Sequence, residues 1–250
     1  MLFRSVFSGG LAGIAAGVIF LGLGSRLAMR VVTLLNSDAR GTLTDAEQVV
    51  GAVTFGGTVA LVIFIGLIGG LLSGVFWVVI REHLPDALLP RTALAGAIAM
   101  LVGSFFVIEA SNTDFMLFTP VAFNVAMFML LIGLSGSATA IGDSVLQHRL
   151  PTGAQAGIAY GLLAGIVAVS AVMTIVSAYF VEGAFVHNPP RAVGVFLGVA
   201  VVGTLLTWAR YTPWRMPLSI KLGRWTGTFG LGGMLVFGLL QLMSELSDIF

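Results

Sequence analysis

The chain alternates between long runs of apolar residues and short polar segments. Several runs exceed the roughly 18 residues that are typical of a membrane-spanning helix. The runs lack the strict alternation of polar and apolar positions that marks the strands of a membrane barrel. The pattern predicts an all-α integral membrane protein, a single polytopic domain over residues 1–250 that forms a bundle of about seven transmembrane helices. We place the spans at residues 6–24, 55–80, 92–108, 120–142, 154–181, 192–209 and 226–243, and expect the first helix to continue into the loop 25–54.

Composition supports the membrane assignment and excludes several kinds of chemistry. Hydrophobic residues make up 58% of the chain and charged residues only 9%, whereas soluble domains carry about 25% charged residues. So few polar residues cannot cover the surface of a water-soluble protein. The chain has no cysteine, which excludes disulfides, thiol catalysis and thiolate metal sites. Its net charge of +1 gives no reason to expect nucleic-acid binding.

The distribution of Lys and Arg between the short loops predicts the orientation in the cell membrane. With a cytoplasmic N-terminus and an outer C-terminus, eight basic residues lie inside and four outside. The chain is therefore predicted to be a multi-pass protein of the cell membrane in this orientation. The inner residues are Arg4, Arg81, Arg91, Arg149, Arg210, Arg215, Lys221 and Arg224, and the outer residues are Arg26, Arg30, Arg40 and Arg191.

Two sequence regularities concern how the helices are arranged. Pro85, Pro151 and Pro217 are each 66 residues apart and close similar inner-loop segments, which indicates three repeated hairpin units plus one helix. The alternative is coincidence, because proline is common in such loops. Glycines at four-residue intervals line one face of a helix and let a neighbouring backbone approach closely. They indicate packing within the bundle, with an oligomer contact or a ligand-lining surface as alternatives. These glycines are Gly9, Gly13 and Gly17; Gly66, Gly70 and Gly74; and Gly153, Gly157, Gly161 and Gly165.

Few charged residues lie close to the predicted spans, and these are the candidate binding residues. Asp143 is at the inner end of the fourth span, where its carboxylate either reaches the interface or has a proton- or ion-linked role. Arg26 and Arg30 are four residues apart and share one helix face near the outer interface. They either extend to outer lipid headgroups, or one of them pairs with Glu109 or Glu182 at the ends of the third and fifth spans. The same cluster is a candidate site for an anionic headgroup or solute.

The sequence predicts no catalytic residue, metal site or cofactor. Gly133-Leu134-Ser135-Gly136 matches the tetrapeptide around the serine nucleophile of rhomboid intramembrane proteases, but that chemistry needs a histidine at membrane depth. The three histidines lie in predicted loops, and no two have the spacing of metal ligands. Lys221, the only lysine, precedes the seventh span, which argues against a retinal Schiff base in that span. The histidines are His83, His148 and His187.

Three function classes remain open from the sequence. An accessory, assembly or structural subunit of a membrane complex is favoured, because buried polar residues are scarce and the loops are too short to build a soluble site. A small-solute or ion transporter or channel is the alternative, favoured by the repeat and Asp143. An intramembrane serine hydrolase that uses Ser135 is the third. The expected partners are the lipid bilayer and either another membrane protein or further copies of this chain.

Overall fold

The structure is a computed structural model that describes residues 2–43, 49–52, 54–108, 118–151, 158, 232–233, 235–236 and 238–249. Its main elements are four long helices, which we label α1 to α4. Two of them contain a π-helical stretch in mid-length. The elements are α1 (Leu2–Ala16, π-helical Gly17–Gly24 and Ser25–Leu35), α2 (Phe55–Leu61, π-helical Val62–Ile68 and Gly69–Ile80), α3 (Leu88–Val107) and α4 (Val121–Arg149), with 3-10 turns at Ser37–Ala39 and Arg81–His83.

The described helices agree with the helical membrane class that the apolar runs predict. Three segments are long and apolar enough to cross a membrane, Arg4–Leu35, Phe55–His83 and Val121–Arg149, and a shorter apolar helix covers Leu88–Ser104. These four match the first four predicted spans. The extension of the first helix beyond its span is confirmed, because α1 ends at Leu35. Apart from residue 158, the predicted fifth and sixth spans lie outside the described residues, and the last described helical segment, residues 238–249, overlaps the seventh.

Local sequence explains where the helices begin and end. Thr54 caps α2, because its Oγ1 accepts a hydrogen bond from the Gly57 amide at 3.1 Å, as an N-cap residue does. Pro120 immediately precedes α4. At the other end of α4, Leu150 leaves the helical conformation because the following residue, Pro151, disfavours α geometry in its predecessor.

Successive helices run in opposite directions, so their ends meet at two levels. One level, which we call the Asp143 end, holds the start of α1, the end of α2 and the last turns of α4. There Ser8 and Arg81 each donate a hydrogen bond to Asp143. The opposite level, the Asn36 end, joins the end of α1 to the segment before α4. There the Asn36 side-chain carbonyl accepts hydrogen bonds from the amide and hydroxyl of Thr119, at 2.9 and 3.1 Å.

The α1–α2 interface is formed by two of the glycine sets. Gly9 faces Gly74, Gly13 faces Gly70 and Gly17 faces Gly66, in antiparallel register. A Cβ added to Gly70 would lie 2.5 Å from the Gly13 carbonyl oxygen, and one added to Gly74 would lie 2.5 Å from that of Gly9. Backbone therefore packs on backbone at these positions, and any side chain would force the helices apart. The glycine set beginning at Gly153 lies outside the described residues.

Helix α4 packs on α3 through another group of small residues and on α1 through Gly142. Gly133 lies against the carbonyl oxygen of Gly96, and Gly136 against Ala95 and Ala99. Residues 238–249 cover the Asn36 end of this pair, where Leu242 packs with Ile108 and Val125. The last described helix therefore ends at the level opposite to Ser8.

Candidate functional site

Asp143 is the centre of a buried polar network at the Asp143 end of the bundle. It lies six residues before the end of α4 and is only 2% exposed. Ser135, Thr139 and Gln147 are spaced from it by multiples of four, so they follow the same face of α4. This face turns toward α1 and α2 and away from the surface, and the carboxylate is enclosed by protein instead of extending to the interface.

Four hydrogen-bond donors from three helical segments surround the Asp143 carboxylate. Oδ1 accepts from the Ser8 hydroxyl of α1 at 2.6 Å. Oδ2 accepts from Trp77 Nε1 at 2.8 Å, from an Arg81 guanidinium nitrogen at 2.9 Å and from Gln147 Nε2 at 2.8 Å. Because all four partners are donors, the carboxyl group acts as an acceptor in every bond, which is the hydrogen-bonding capacity of an ionised carboxylate.

The helix register brings these donors together. Trp77 and Arg81 are four residues apart, so the last turn of α2 and the 3-10 turn after it present both side chains to α4. Ser8 has a short side chain and reaches the carboxylate only because α1 and α4 approach closely. At the next turn of α1, a Cβ added to Gly142 would lie 3.1 Å from the Ala12 Cβ, so small residues on both helices allow this approach.

Arg91 adds a second positive charge beside the network. Its guanidinium lies 5.5 Å from the centroid of the Trp77 ring, within the range of a cation–π contact. It also donates a hydrogen bond to the Arg81 main-chain carbonyl at 3.0 Å. Arg91 therefore ties the start of α3 to the end of α2.

The Arg81–Asp143 ion pair is buried, with side-chain exposures of 11% and 3%. Removing two charges from water costs several kcal/mol per ion, and their attraction offsets this only when the geometry is good and the remaining hydrogen-bonding positions are satisfied. The Asp143 carboxylate meets this condition because Ser8, Trp77 and Gln147 occupy the positions that Arg81 does not. The whole network, and not the ion pair by itself, accounts for a charge being held among apolar helices.

A small cavity lies between α2, α3 and α4, next to Trp77. Its volume of about 10 Å³ is close to the smallest space that holds one water molecule. The wall is mainly apolar, and its polar side chains are Ser73 and Thr139. The cavity is thus too small for an organic solute.

Ser135, the serine of the rhomboid-like tetrapeptide, is buried in the same face of α4. It is 2% exposed, and its carbonyl oxygen accepts a hydrogen bond from Thr139 Oγ1 at 2.8 Å. Within the described part of the chain, its own Oγ has no hydrogen-bond partner. No described histidine or carboxylate therefore contacts it as a general base.

The structure places the two arginines of α1 at the Asn36 end, beside the loop before α2. Arg26 donates to the Ala52 carbonyl at 3.3 Å, and Arg30 donates to the Gly51 carbonyl at 3.4 Å. The carboxylates considered as their partners, Glu109 and Glu182, lie outside the described residues. Asp143 belongs to the opposite end, so it does not form one site with Arg26 and Arg30.

Sequence reasoning identified Asp143 but missed its partners Ser8, Trp77 and Arg81. One signal for Arg81 was present, because a carboxylate at membrane depth needs a cation and Arg81 is one of the eight basic residues predicted on the inner side. The spacing of Trp77 and Arg81 also indicates a shared helix face. No local signal points to Ser8, which is 135 residues from Asp143 in the chain.

Among the residues that the structure describes, no group of three or more metal-ligating side chains is found. The arrangement around Asp143 can hold a fixed negative charge and join three helices, and it leaves no open position for a ligand at the carboxylate. Comparison of the chain with protein-family models, with curated protein sequences and with solved structures finds no match.

Proposed function

We propose that this chain is a multi-pass protein of the cell membrane that serves as an accessory, assembly or structural subunit of a membrane complex, without enzyme activity or a cofactor. The observation that carries the proposal is the saturated Asp143 carboxylate. Its four donors come from three helical segments, so the charge holds helices together. A charge engaged in this way suits a scaffold better than a carrier.

Helix packing supports the same function. The glycine contacts between α1 and α2 bring backbone against backbone, and the cavity beside Trp77 has a volume of only about 10 Å³. Large apolar side chains such as Phe55, Phe64 and Leu27 are exposed, and in a membrane they meet lipid, a neighbouring protein or another span of the chain. A partner that binds through such side chains is another membrane protein or a further copy of the chain.

The proposed topology is seven crossings with the N-terminus in the cytoplasm and the C-terminus outside. It is supported by the position of residues 238–249, whose packing on Ile108 and Val125 brings the end of the chain to the level opposite to Ser8. A chain that crosses the membrane an odd number of times has its two ends on opposite sides. Arg81 and Arg91 lie at the Asp143 end, as the excess of basic residues in cytoplasmic loops requires.

Reporter fusions test this topology directly. A reporter after Phe250 is expected to show the outer compartment, and one inserted between Arg215 and Lys221 the cytoplasm. A cytoplasmic signal after Phe250 would mean an even number of crossings and would contradict the proposed topology.

Purification from native membranes tests the subunit function. The tagged chain is extracted in a mild detergent, and its mass and composition are measured by native mass spectrometry. We expect a second membrane protein in a fixed ratio. A matched variant, Phe64→Ser, changes an exposed apolar side chain of α2 and shows whether the association depends on that face. A lone chain that conducts ions or solutes in liposomes would contradict the proposal.

A small-solute or ion transporter is the second candidate, because one specific observation favours it. Buried polar residues at four-residue spacing, Ser135, Thr139 and Asp143, follow one face of α4, and such rows line ion paths in membrane proteins. Flux into liposomes that contain the purified chain tests this function. Transport that is abolished by Asp143→Asn in a protein that remains folded would establish it.

A further inference from the structure

Three arginines lie beside the loop before α2 at the Asn36 end. Arg26 and Arg30 donate to the carbonyls of the consecutive residues Ala52 and Gly51. The stem of the third arginine, Arg40, also lies beside Gly51, since a Cβ added to this glycine would be 3.5 Å from Arg40 Cγ. We call these residues the Gly51 arginines.

The conformation of this loop favours glycine at position 51. Its φ of +88° belongs to the region that favours glycine. A Cβ there would also lie 3.3 Å from Thr33 Cγ2, tighter than ordinary van der Waals contact. The loop therefore packs against Thr33 of α1 and the stem of Arg40, and its carbonyls accept hydrogen bonds from Arg26 and Arg30.

No ion pair of the Gly51 arginines is found within the described residues. The ion pair found in this part of the chain joins Arg81 to Asp143, whereas the bonds of Arg26 and Arg30 go to uncharged carbonyls. Arg26 Nε is buried and has no partner among the described residues. Three like charges beside one loop repel one another, and a bound anion would relieve this repulsion.

The arrangement suits a phosphate-class oxyanion. A guanidinium has five N–H donors, and the bonds given above use one donor each of Arg26 and Arg30, so donors remain for a ligand. The planar fork of arginine matches phosphate oxygens in pairs. Because the carbonyl bonds already orient two of the side chains, less conformational freedom is lost when an anion binds.

We propose that Arg26, Arg30 and Arg40, held around Gly51, form a binding site for a phosphate group at the Asn36 end of the bundle. The group comes from the headgroup of an anionic phospholipid or from free phosphate, and both present the same oxyanion. The site is separate from the Asp143 network. It depends neither on the presence of a partner subunit nor on the number of crossings.

Thermal unfolding of the full chain in a neutral detergent tests the site. The midpoint is measured with phosphatidylglycerol, with phosphatidylcholine of the same acyl chains, and with inorganic phosphate at matched ionic strength. We expect phosphatidylglycerol to raise the midpoint by several degrees and phosphatidylcholine to have little effect. A rise with inorganic phosphate as well identifies free oxyanion as a ligand, and a rise with the phospholipid alone identifies the lipid headgroup.

In the double variant Arg26→Gln/Arg30→Gln, we expect most of the rise in the unfolding midpoint with phosphatidylglycerol to be lost. Its matched control is Arg4→Gln/Arg149→Gln, which removes two charges near the Asp143 end and should keep the rise. Arg40→Gln, in an exposed loop, is expected to lose part of the rise in the midpoint. If the double variant does not fold, this single variant takes its place as the test of the site. Native mass spectrometry should show one retained phosphatidylglycerol in the parent and none in the double variant.

Two results would overturn the proposal. One is an equal rise in the parent and in the variants of the Gly51 arginines, because the anion would then act elsewhere. The other is no rise with either anion, which is expected if an acidic residue such as Asp45 or Glu47, outside the described residues, already neutralises the arginines.

Discussion

The two ends of the bundle differ in which groups bind their charged side chains. At the Asp143 end, a carboxylate that is 2% exposed receives four donors, one of which belongs to a buried cation. At the Asn36 end, Arg26 and Arg30 bind uncharged carbonyls and keep contact with the surroundings of the protein. The first end therefore satisfies its charge internally, whereas the second leaves charge available to an external partner.

The difference follows from where each charge lies. A charge enclosed by apolar helices is costly unless its partners come from the protein itself. A charge near the membrane surface keeps access to water and headgroups, so nothing forces a protein carboxylate to pair with it. We therefore expect substitutions at the Asp143 end to act on folding, and substitutions at the Asn36 end to act on ligand binding.

The largest expected effect is that of Asp143→Leu. Removing one partner of a buried ion pair leaves the other charge uncompensated, which costs about 3–5 kcal/mol. The free energy of unfolding in detergent measures the loss. Arg81→Met combined with Asp143→Leu is the control, because removing both charges should recover part of the stability, although Ser8, Trp77 and Gln147 still lose their acceptor. Losses that simply add would show that the two residues are not coupled.

Gly13→Leu is expected to have the next largest effect on the free energy of unfolding. A Cβ added to Gly13 would lie 2.5 Å from the Gly74 Cα, so the new side chain pushes α1 from α2, at a cost of about 3 kcal/mol. Gly56→Leu is the matched control, since a Cβ at Gly56 meets nothing within 4 Å. A Gly13 variant that unfolds at the same temperature as the parent would contradict the close α1–α2 contact. For Gly161, which lies outside the described residues, the glycine spacing still predicts destabilisation by Gly161→Leu.

Ser8→Ala sharpens the comparison at the Asp143 end. The substitution removes the donor to Oδ1 and leaves that oxygen without a partner among the described residues. The loss of a hydrogen bond to a charged group is expected to cost about 1.5 kcal/mol. Ser144→Ala is the control, because among the described residues the hydroxyl of Ser144 bonds only to a local carbonyl at Ile141. Equal effects of the two substitutions would contradict the special role of Ser8.

The smallest expected effect on stability is that of Arg30→Gln. Exposed ion pairs contribute only about 0–1 kcal/mol to the free energy of unfolding. Arg30 bonds to an uncharged carbonyl, so its loss should lower the free energy of unfolding by less than about 1 kcal/mol. The measurement is made without added anionic lipid, since bound ligand would stabilise the parent selectively. A loss as large as that of Asp143→Leu would remove the distinction between the two ends.

Local sequence determined the features of this protein that depend on one helix at a time. Apolar runs of sufficient length indicate helices suited to a membrane, because backbone groups in lipid must be hydrogen-bonded within their own segment. Pro120 and Pro151 mark the ends of α4, and Thr54 marks the start of α2. The glycine intervals in α1 and α2 identify the faces through which a neighbouring backbone can approach.

Only the tertiary structure decided which residues meet. Asp143 is 135 residues from Ser8, 66 from Trp77 and 62 from Arg81, and their contact depends on the direction and register of three helices. Arg26 and Arg30 likewise bond to loop carbonyls that no sequence pattern marks as acceptors. A helix follows from interactions within a few residues, whereas a buried charge is satisfied by whichever distant donors the packing brings within hydrogen-bond distance.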